Sequence, residues 1–242
     1  MSSNFMPRTR SVRFTLILLV VLVIVSLLAI YFHNRLVTYE YTSEQTARQT
    51  LKQVQLAISE DDRVYGSRSA ATRLVFYGDA SCQYCRQLFF TLRSVVDQSN
   101  GSVALVYRHI PIRYLRGVVG AEEIASECVQ RERGDEGFFA FIQNLYTKIG
   151  SQGTINPVPD KIIFESAEMV GVSKATIDEC IQQRYAVAHI ESQHIRGELL
   201  GVGTIPHTFV VTDTGNLSVI GNRPASFFWA TINSIGDVNR AQ

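Results

Sequence analysis

Residues Val75 to Arg86, VFYGDASCQYCR, constrain this chain more than any other stretch. An apolar run of strand character meets a Gly-Asp-Ala-Ser turn, and Cys82-Gln83-Tyr84-Cys85 then opens a helix. Two cysteines three apart on one helical turn can close a disulfide with little backbone movement. Opened, Cys82 sits where unpaired N–H groups and the positive end of the helix dipole favour its thiolate, the form that attacks disulfides. The tetrapeptide alone reads almost equally well as half of a zinc site. The strand, turn and helix around it sharpen the reading toward redox chemistry.

The neighbouring pattern gives that motif a frame. Arg73 to Tyr77 and Val103 to Arg108 are predicted strands, with a helix from about Gln83 to Gln98 between them and Asn100-Gly101 as its stop. This is a βαβ unit with the dithiol at the carboxyl end of its first strand, where open α/β sheets place their sites. From about Gly120 to Leu200 the period is helical. Ala121, Ile124, Ala125, Cys128 and Val129 share one face, then Phe138, Phe139, Ile142 and Leu145, then Ile162, Ile163, Ala167 and Val170, with Ile177, Cys180 and Ile181 on a further helix. So long a helical stretch makes a subdomain rather than a crossover. Strand character returns at Thr208 to Thr212 and Leu217 to Ile220 around an Asp213-Thr214-Gly215-Asn216 turn, and a helix from about Ala225 to Ile235 closes the chain. The expected class is α/β, with the element order of a thioredoxin fold split by a helical insertion at about 117–200.

A second feature sets the compartment. Phe14 to Phe32 contains no charged residue and spans about 28 Å as a helix, against a hydrocarbon core of about 30 Å. Tyr31, Phe32 and His33 follow where a cleavable leader would carry small residues, so an uncleaved transmembrane anchor is the favoured reading. Arg8, Arg10 and Arg13 precede it without an acidic residue among them and hold the N-terminus in the cytoplasm. The rest of the chain then lies outside, where disulfides persist. The expected division is a cytoplasmic tail (1–13), an anchor (14–32), a helical stalk (33–60) and a catalytic domain (61–242). Thr42 and Gln45 offer a capping box for the stalk, whose stripe of Ala47, Leu51, Val54 and Ile58 suits either a short coiled coil or a helix lying on its own domain or near the bilayer. A net charge of +1, from 23 basic and 22 acidic residues without a strong basic block, gives no case for nucleic acid.

DDRVYGSRSAATRLVFYGDASCQYC, the strand ending YRHIP, AEEIASECVQRERGDEGFFAFIQNLY, GVGTIPHTFVV and GNRPASFFWATINSI resemble, in order, the DsbA-like thiol-disulfide oxidoreductases of bacterial envelopes. The likeness runs from about Asp61 to Ile235. It implies Cys82 as nucleophile, Cys85 as resolving thiol, Pro206 as a cis-proline facing the dithiol and Ile205 as the backbone that meets an extended substrate peptide. Gln83-Tyr84 replaces the Pro-His of strongly oxidising members, and Tyr84 looks more like the isomerase branch. His207 stands where Thr is usual, either tuning Cys82 or filling space. The resemblance implies a disulfide-forming oxidase without cofactor at the bacterial inner membrane. Its partners would be cysteine-containing envelope or secreted proteins and a membrane redox partner, either a quinone-linked reoxidant or an electron donor. Alternatives are a reductase or isomerase, or a peptide-binding assembly component without turnover.

Cys128 and Cys180 are too far apart for a zinc site and lie on apolar helix faces. They are either buried thiols or a structural disulfide, and the oxidising compartment favours the disulfide. His33, His109, His189 and His194 are expected on solvated helix faces, and Asp79 either influences the thiols or caps a turn.

Overall fold

The computed structural model describes residues 8–112, 118–150, 153, 155 and 157–238. The chain divides into two units, Met1–Val54 and Gln55–Gln242. The first is built on helix α1 (Arg8–Leu56), whose last two residues enter the second unit. Leu16–Thr38 has a mean hydropathy of 2.9 with none of its window buried, long and apolar enough to cross a membrane. The helix start expected at Thr42 does not occur, because α1 runs through that position without a break. A capping box needs Thr42 itself to take non-helical backbone, and the helix runs through it instead. Leu51 and Val54 are exposed on α1, while Ile58 lies past the helix end and packs against the sheet. The side chains of Arg8, Arg10 and Arg13, and residue 117, lie outside the described residues.

The second unit holds a five-stranded sheet of order β1-β3-β2-β4-β5, made of β1 (Arg63–Tyr65), β2 (Thr72–Gly78), β3 (Val103–His109), β4 (His207–Val211) and β5 (Asn216–Ile220). β2 and β3 are parallel and the other pairs antiparallel. Period-two alternation explains why both faces are covered. Leu74 and Phe76 of β2, with Val103, Leu105 and Tyr107 of β3, enter one core, whereas Val75, Tyr77, Ala104 and Val106 enter the other.

Helix α2 (Gln83–Asp97) forms because Cys85, Leu88, Phe89, Leu92, Val95 and Val96 recur on one face, all buried. Burying Phe89 or Leu92 contributes roughly 1.5–3 kcal/mol each. The helix ends at its C-cap Gln98, and two residues further on Asn100 and Gly101 take φ of 51° and 84°, a left-handed turn that glycine enters without strain.

The helical layer comprises α3 (Ala121–Ile149), α4 (Asp160–Glu168), α5 (Lys174–Gln182) and α6 (Val187–Leu199). α3 is broken at Gly134, whose φ of 65° lets two helical faces point differently. The Cys128–Cys180 disulfide joins α3 to α5 across 52 residues of sequence. α6 lies close on the sheet: a Cβ at Gly197 would stand 2.7 Å from Ile110 Cδ1 and 3.2 Å from Tyr77 Cε1. Helix α7 (Ala225–Val238) closes the chain, burying Phe228.

At the start of this unit Arg108, fully buried on β3, donates to both carboxylate oxygens of Asp62 at 2.8 Å. It also donates to the carbonyls of Gln55 and Ala57 and to the Tyr77 hydroxyl. The guanidinium thus satisfies carbonyls around the end of α1 that a helix end leaves without an intrahelical donor.

Candidate active site

β2 ends at Gly78, and Asp79, Ala80 and Ser81 carry the chain over its carboxyl end into α2. Cys82 is the N-cap of that helix, with extended backbone (φ −80°, ψ 123°). Its Sγ accepts the main-chain N–H of Cys85 at 3.3 Å, one of the donors a helix start leaves unpaired. Both cysteines are free thiols. Cys82 keeps 5% of its surface, whereas Cys85 is wholly enclosed. The side-chain hydrogen bond from Cys85 pulls the Cys82 thiol below its ordinary value, against the opposing effect of burial, and the Cys85 and Tyr84 amides add to that bond. Burial pushes Cys85 far up, and the neighbouring Cys82 sulfur adds to it. The pair is therefore asymmetric: Cys82, which keeps some surface, has its pKa lowered, and Cys85, which keeps none, has its pKa raised.

Asp79, 1% exposed, organises the turn. Its Oδ1 accepts from the amide and hydroxyl of Ser81, and its Oδ2 accepts from the Ile112 amide at 2.6 Å. Its carbonyl takes the Cys82 amide at 3.2 Å and the Tyr146 hydroxyl, from α3, at 3.0 Å. Tyr107 of β3 lies 3.4 Å from Tyr146, oxygen to oxygen. Glu123 in the first turn of α3 is fully enclosed, and burial, then the charges of Asp79 and Glu122, push its carboxyl well up.

Antiparallel pairing sets Tyr77 of β2 against His207 of β4, so Pro206, the residue before β4, and Gly78, the last residue of β2, lie at the same end of the sheet. The Ile205–Pro206 peptide is cis. Ile205 is half-buried, Pro206 is buried, and the Pro206 carbonyl accepts the Gly221 amide at 2.8 Å. His207 is buried, stacked on Phe209 with its Nε2 2.8 Å from the Ser218 hydroxyl. Tyr84 is 59% exposed beside the thiols. Asn222 bonds Gln87 of α2 at 2.9 Å, joining the loop after β5 to the dithiol helix.

The histidine expectation is corrected. His33 is exposed on α1, but His109 lies on β3, fully buried, and His189 and His194 are on α6, half-buried and buried respectively. His109 and His189 converge on Glu127 of α3, and His194 lies 3.3 Å from Glu198. The partners come from different elements, so no local spacing announced them. Tyr146, Ile112 and Glu123 were missed as neighbours of Asp79 for the same reason. The Gly120-Ala121-Glu122-Glu123 sequence reads locally as acidic residues at a helix start, and nothing in it says that both carboxyls are enclosed. Among the described residues no cluster of three or more His, Cys, Asp or Glu is placed to hold a metal ion.

A dithiol at the start of α2, a strand that follows a cis-proline and pairs with β2, and helices inserted between the two halves of one sheet are the architecture of a thioredoxin-fold dithiol protein. The family model described as thioredoxin matches residues 58–214, and the chain belongs to that family. Its fold is the DsbA-like form. A variant of Wolbachia pipientis alpha-DsbA1 superimposes with a TM-score of 0.65 at 17% identity, over 79% of this chain and 100% of that one. A periplasmic thioredoxin-like protein from Salmonella enterica serovar Typhimurium gives 0.60 at 21% identity, over 76% and 95%. Among curated proteins, Na(+)/H(+) antiporter NhaA 1 of Salinispora arenicola (strain CNS-205) is 27% identical over 149 residues, 62% of this chain. The chain spans about a fifth (21%) of that relative's length.

Proposed function

We propose that this protein is a membrane-anchored thiol-disulfide oxidoreductase that passes its Cys82–Cys85 disulfide to cysteine-containing proteins outside the cytoplasm. The observation that carries the reading is the Cys85 amide bonded to Cys82 Sγ at the N-cap of α2. A donor fixed on that sulfur stabilises the reduced, thiolate form, and a couple whose reduced form is stabilised is the more oxidising one.

In the forward direction a substrate thiolate attacks Cys82 Sγ of the oxidised pair. The Sγ–Sγ bond breaks, and Cys85 leaves as a thiolate that takes up a proton in its enclosed site. A second substrate thiolate then attacks the substrate sulfur of the mixed disulfide and releases Cys82 as its stabilised thiolate. The substrate loses two electrons and the protein gains them. Ile205 offers main chain to an extended peptide, Pro206 keeps that edge beside the dithiol, and Tyr84 and His207 flank it. A membrane redox partner, quinone-linked in this direction, returns the pair to the disulfide.

The apolar length of Leu16–Thr38 supports an anchor in the bacterial inner membrane, and Arg8, Arg10 and Arg13 before it support an N-terminus in the cytoplasm. The reducing or isomerising direction is the second reading. It is favoured by the Gln83-Tyr84 pair, which places no imidazole between the cysteines, and it takes a membrane electron donor as partner. The test is the reduction potential of the Cys82/Cys85 couple: about −120 mV marks an oxidant and about −270 mV a reductant. A Cys82→Ser protein that keeps full activity in cells would leave only a peptide-binding role.

A further inference from the structure

We propose that Asp79 is a positioning residue for this exchange: its buried carboxylate fastens the dithiol turn to the chain after β3, and its fixed negative charge limits how oxidising the couple becomes. The inference rests on the reading of Cys82 and Cys85 as the exchanging pair.

The geometry gives the carboxylate no slack. Oδ1 is held by two donors of Ser81 and Oδ2 by the Ile112 amide, so both oxygens act as acceptors, as an ionised carboxylate does. The carbonyl of the same residue receives the amide of Cys82 itself and the hydroxyl of Tyr146. One residue therefore ties the nucleophile's backbone to the chain after β3 and to the helical layer. Five donors on one buried residue are more than a turn needs, since an Asx turn is complete with the Ser81 amide alone.

The charge has a cost for the chemistry. Hydrogen bonding from Cys85 is the main influence on Cys82 and lowers its pKa, but Asp79 acts against it. Burial is the main influence on Cys85 and raises its pKa, and Asp79 adds to that. The same charge acts on Glu123, Tyr107 and Tyr146, whose pKa values burial already raises. Among these neighbours the negative charge at Asp79 opposes a thiolate at Cys82, and with it the reduced state of the couple.

Three variants of the full chain in detergent micelles test this, read by the pH dependence of Cys82 alkylation and by equilibrium against glutathione redox buffers at pH 7. Asp79→Asn keeps an acceptor for Ser81 and removes the charge. Asp79→Ser is a second neutral replacement whose hydroxyl still accepts the Ser81 amide. Tyr146→Phe loosens the same turn at the Asp79 carbonyl and leaves the charge in place. Both neutral variants are expected to move the alkylation midpoint to lower pH and to favour the reduced dithiol about tenfold, about 30 mV more oxidising. Tyr146→Phe is expected to stay within about twofold of the unaltered protein. A neutral variant that is folded and equally or less oxidising overturns the proposal, as does a Tyr146→Phe shift as large as that of Asp79→Asn. An unaltered protein that exchanges no disulfide with glutathione overturns instead the function on which this rests.

Discussion

His109 on β3 places its Nε2 3.1 Å from Oε1 of Glu127 on α3, with both side chains excluded from solvent. Arg63 of β1 bonds the other carboxylate oxygen through two nitrogens. One carboxylate thus joins an edge strand, a central strand and the helical layer.

This cluster sets an acid limit on stability. Burial pushes the Glu127 carboxyl up, but the His109 hydrogen bond and the His109 and Arg63 charges together hold it at about 2. In the unfolded chain it titrates near 4.3. A depressed carboxyl contributes stability that is complete above the unfolded value and is lost as pH falls through the folded one. The loss should therefore run from about pH 4.5 down to about pH 2 and amount to roughly 2–3 kcal/mol. Glu127→Gln should remove that part of the slope and cost about 3 kcal/mol at pH 7, because Arg63 is left buried without its partner. Urea unfolding at pH 7 and pH 3 measures both, and an unchanged acid slope in the variant would disprove the assignment.

Arg108 and Asp62 make a second buried pair, and the expected behaviour differs. Arg108→Met should destabilise by about 3–5 kcal/mol, because Asp62 and the carbonyls of Gln55 and Ala57 lose their donor together. Adding Asp62→Leu should recover part of that loss, since an apolar pair no longer strands a charge. Amide hydrogen exchange should rise locally around residues 55–59 in the single variant. Additive effects of the two changes would show that the pair is not coupled.

The thiols should differ in reactivity as they differ in exposure. In the reduced protein Cys82 should alkylate rapidly, at a pH below that at which an ordinary thiol responds, while Cys85 resists until the protein unfolds. Cys85→Ser should accumulate the mixed disulfides that form when the Cys82 thiolate attacks a substrate disulfide, because the internal release, attack of the Cys85 sulfur on Cys82 Sγ, is lost. Mass spectrometry of timed alkylation reads the order directly, and equal rates at the two cysteines would remove the assigned roles.

The parts legible in the sequence were those whose signal is local. β2, β3, β4, β5 and α2 announced themselves by alternation, by an apolar helical face and by Asn100-Gly101, and the dithiol by its place between strand and helix. β1 did not, because Arg63-Val64-Tyr65 is three residues long and its ends are polar or half-exposed; it pairs only because Tyr107, Val106 and Leu105 of β3 lie antiparallel to it. Thr42 looked like a helix start because capping chemistry was read without the strength of the helix already running through it. His109 looked solvated because its partner Glu127 sits on another element. Asp79 was legible as a turn residue, but the bonds from Ile112 and Tyr146 exist only once the chain after β3 and the helical layer are in place.

The bond between Cys128 and Cys180 gives the last prediction. It closes 52 residues of chain between α3 and α5, and both ends are fully buried among Val129, Ile177 and their neighbours. Confining a loop of that length in the unfolded chain stabilises the folded state by about 4 kcal/mol in the chain-entropy model, before any strain is subtracted. The subdomain it staples includes two short helices, α4 and α5 of nine residues each, which gain little from their own hydrogen bonds. Replacing both cysteines by Ala should therefore lower the melting temperature markedly. Cys82 and Cys85 take their environment from the N-cap of α2 and the Asp79 turn, so the potential of that couple should stay nearly unchanged. The bond should also resist glutathione at concentrations that reduce the active pair, because no thiolate reaches a sulfur with no exposed surface. Non-reducing peptide mapping of protein from an oxidising compartment checks the linkage, and recovery of both residues as free thiols would return them to plain core packing.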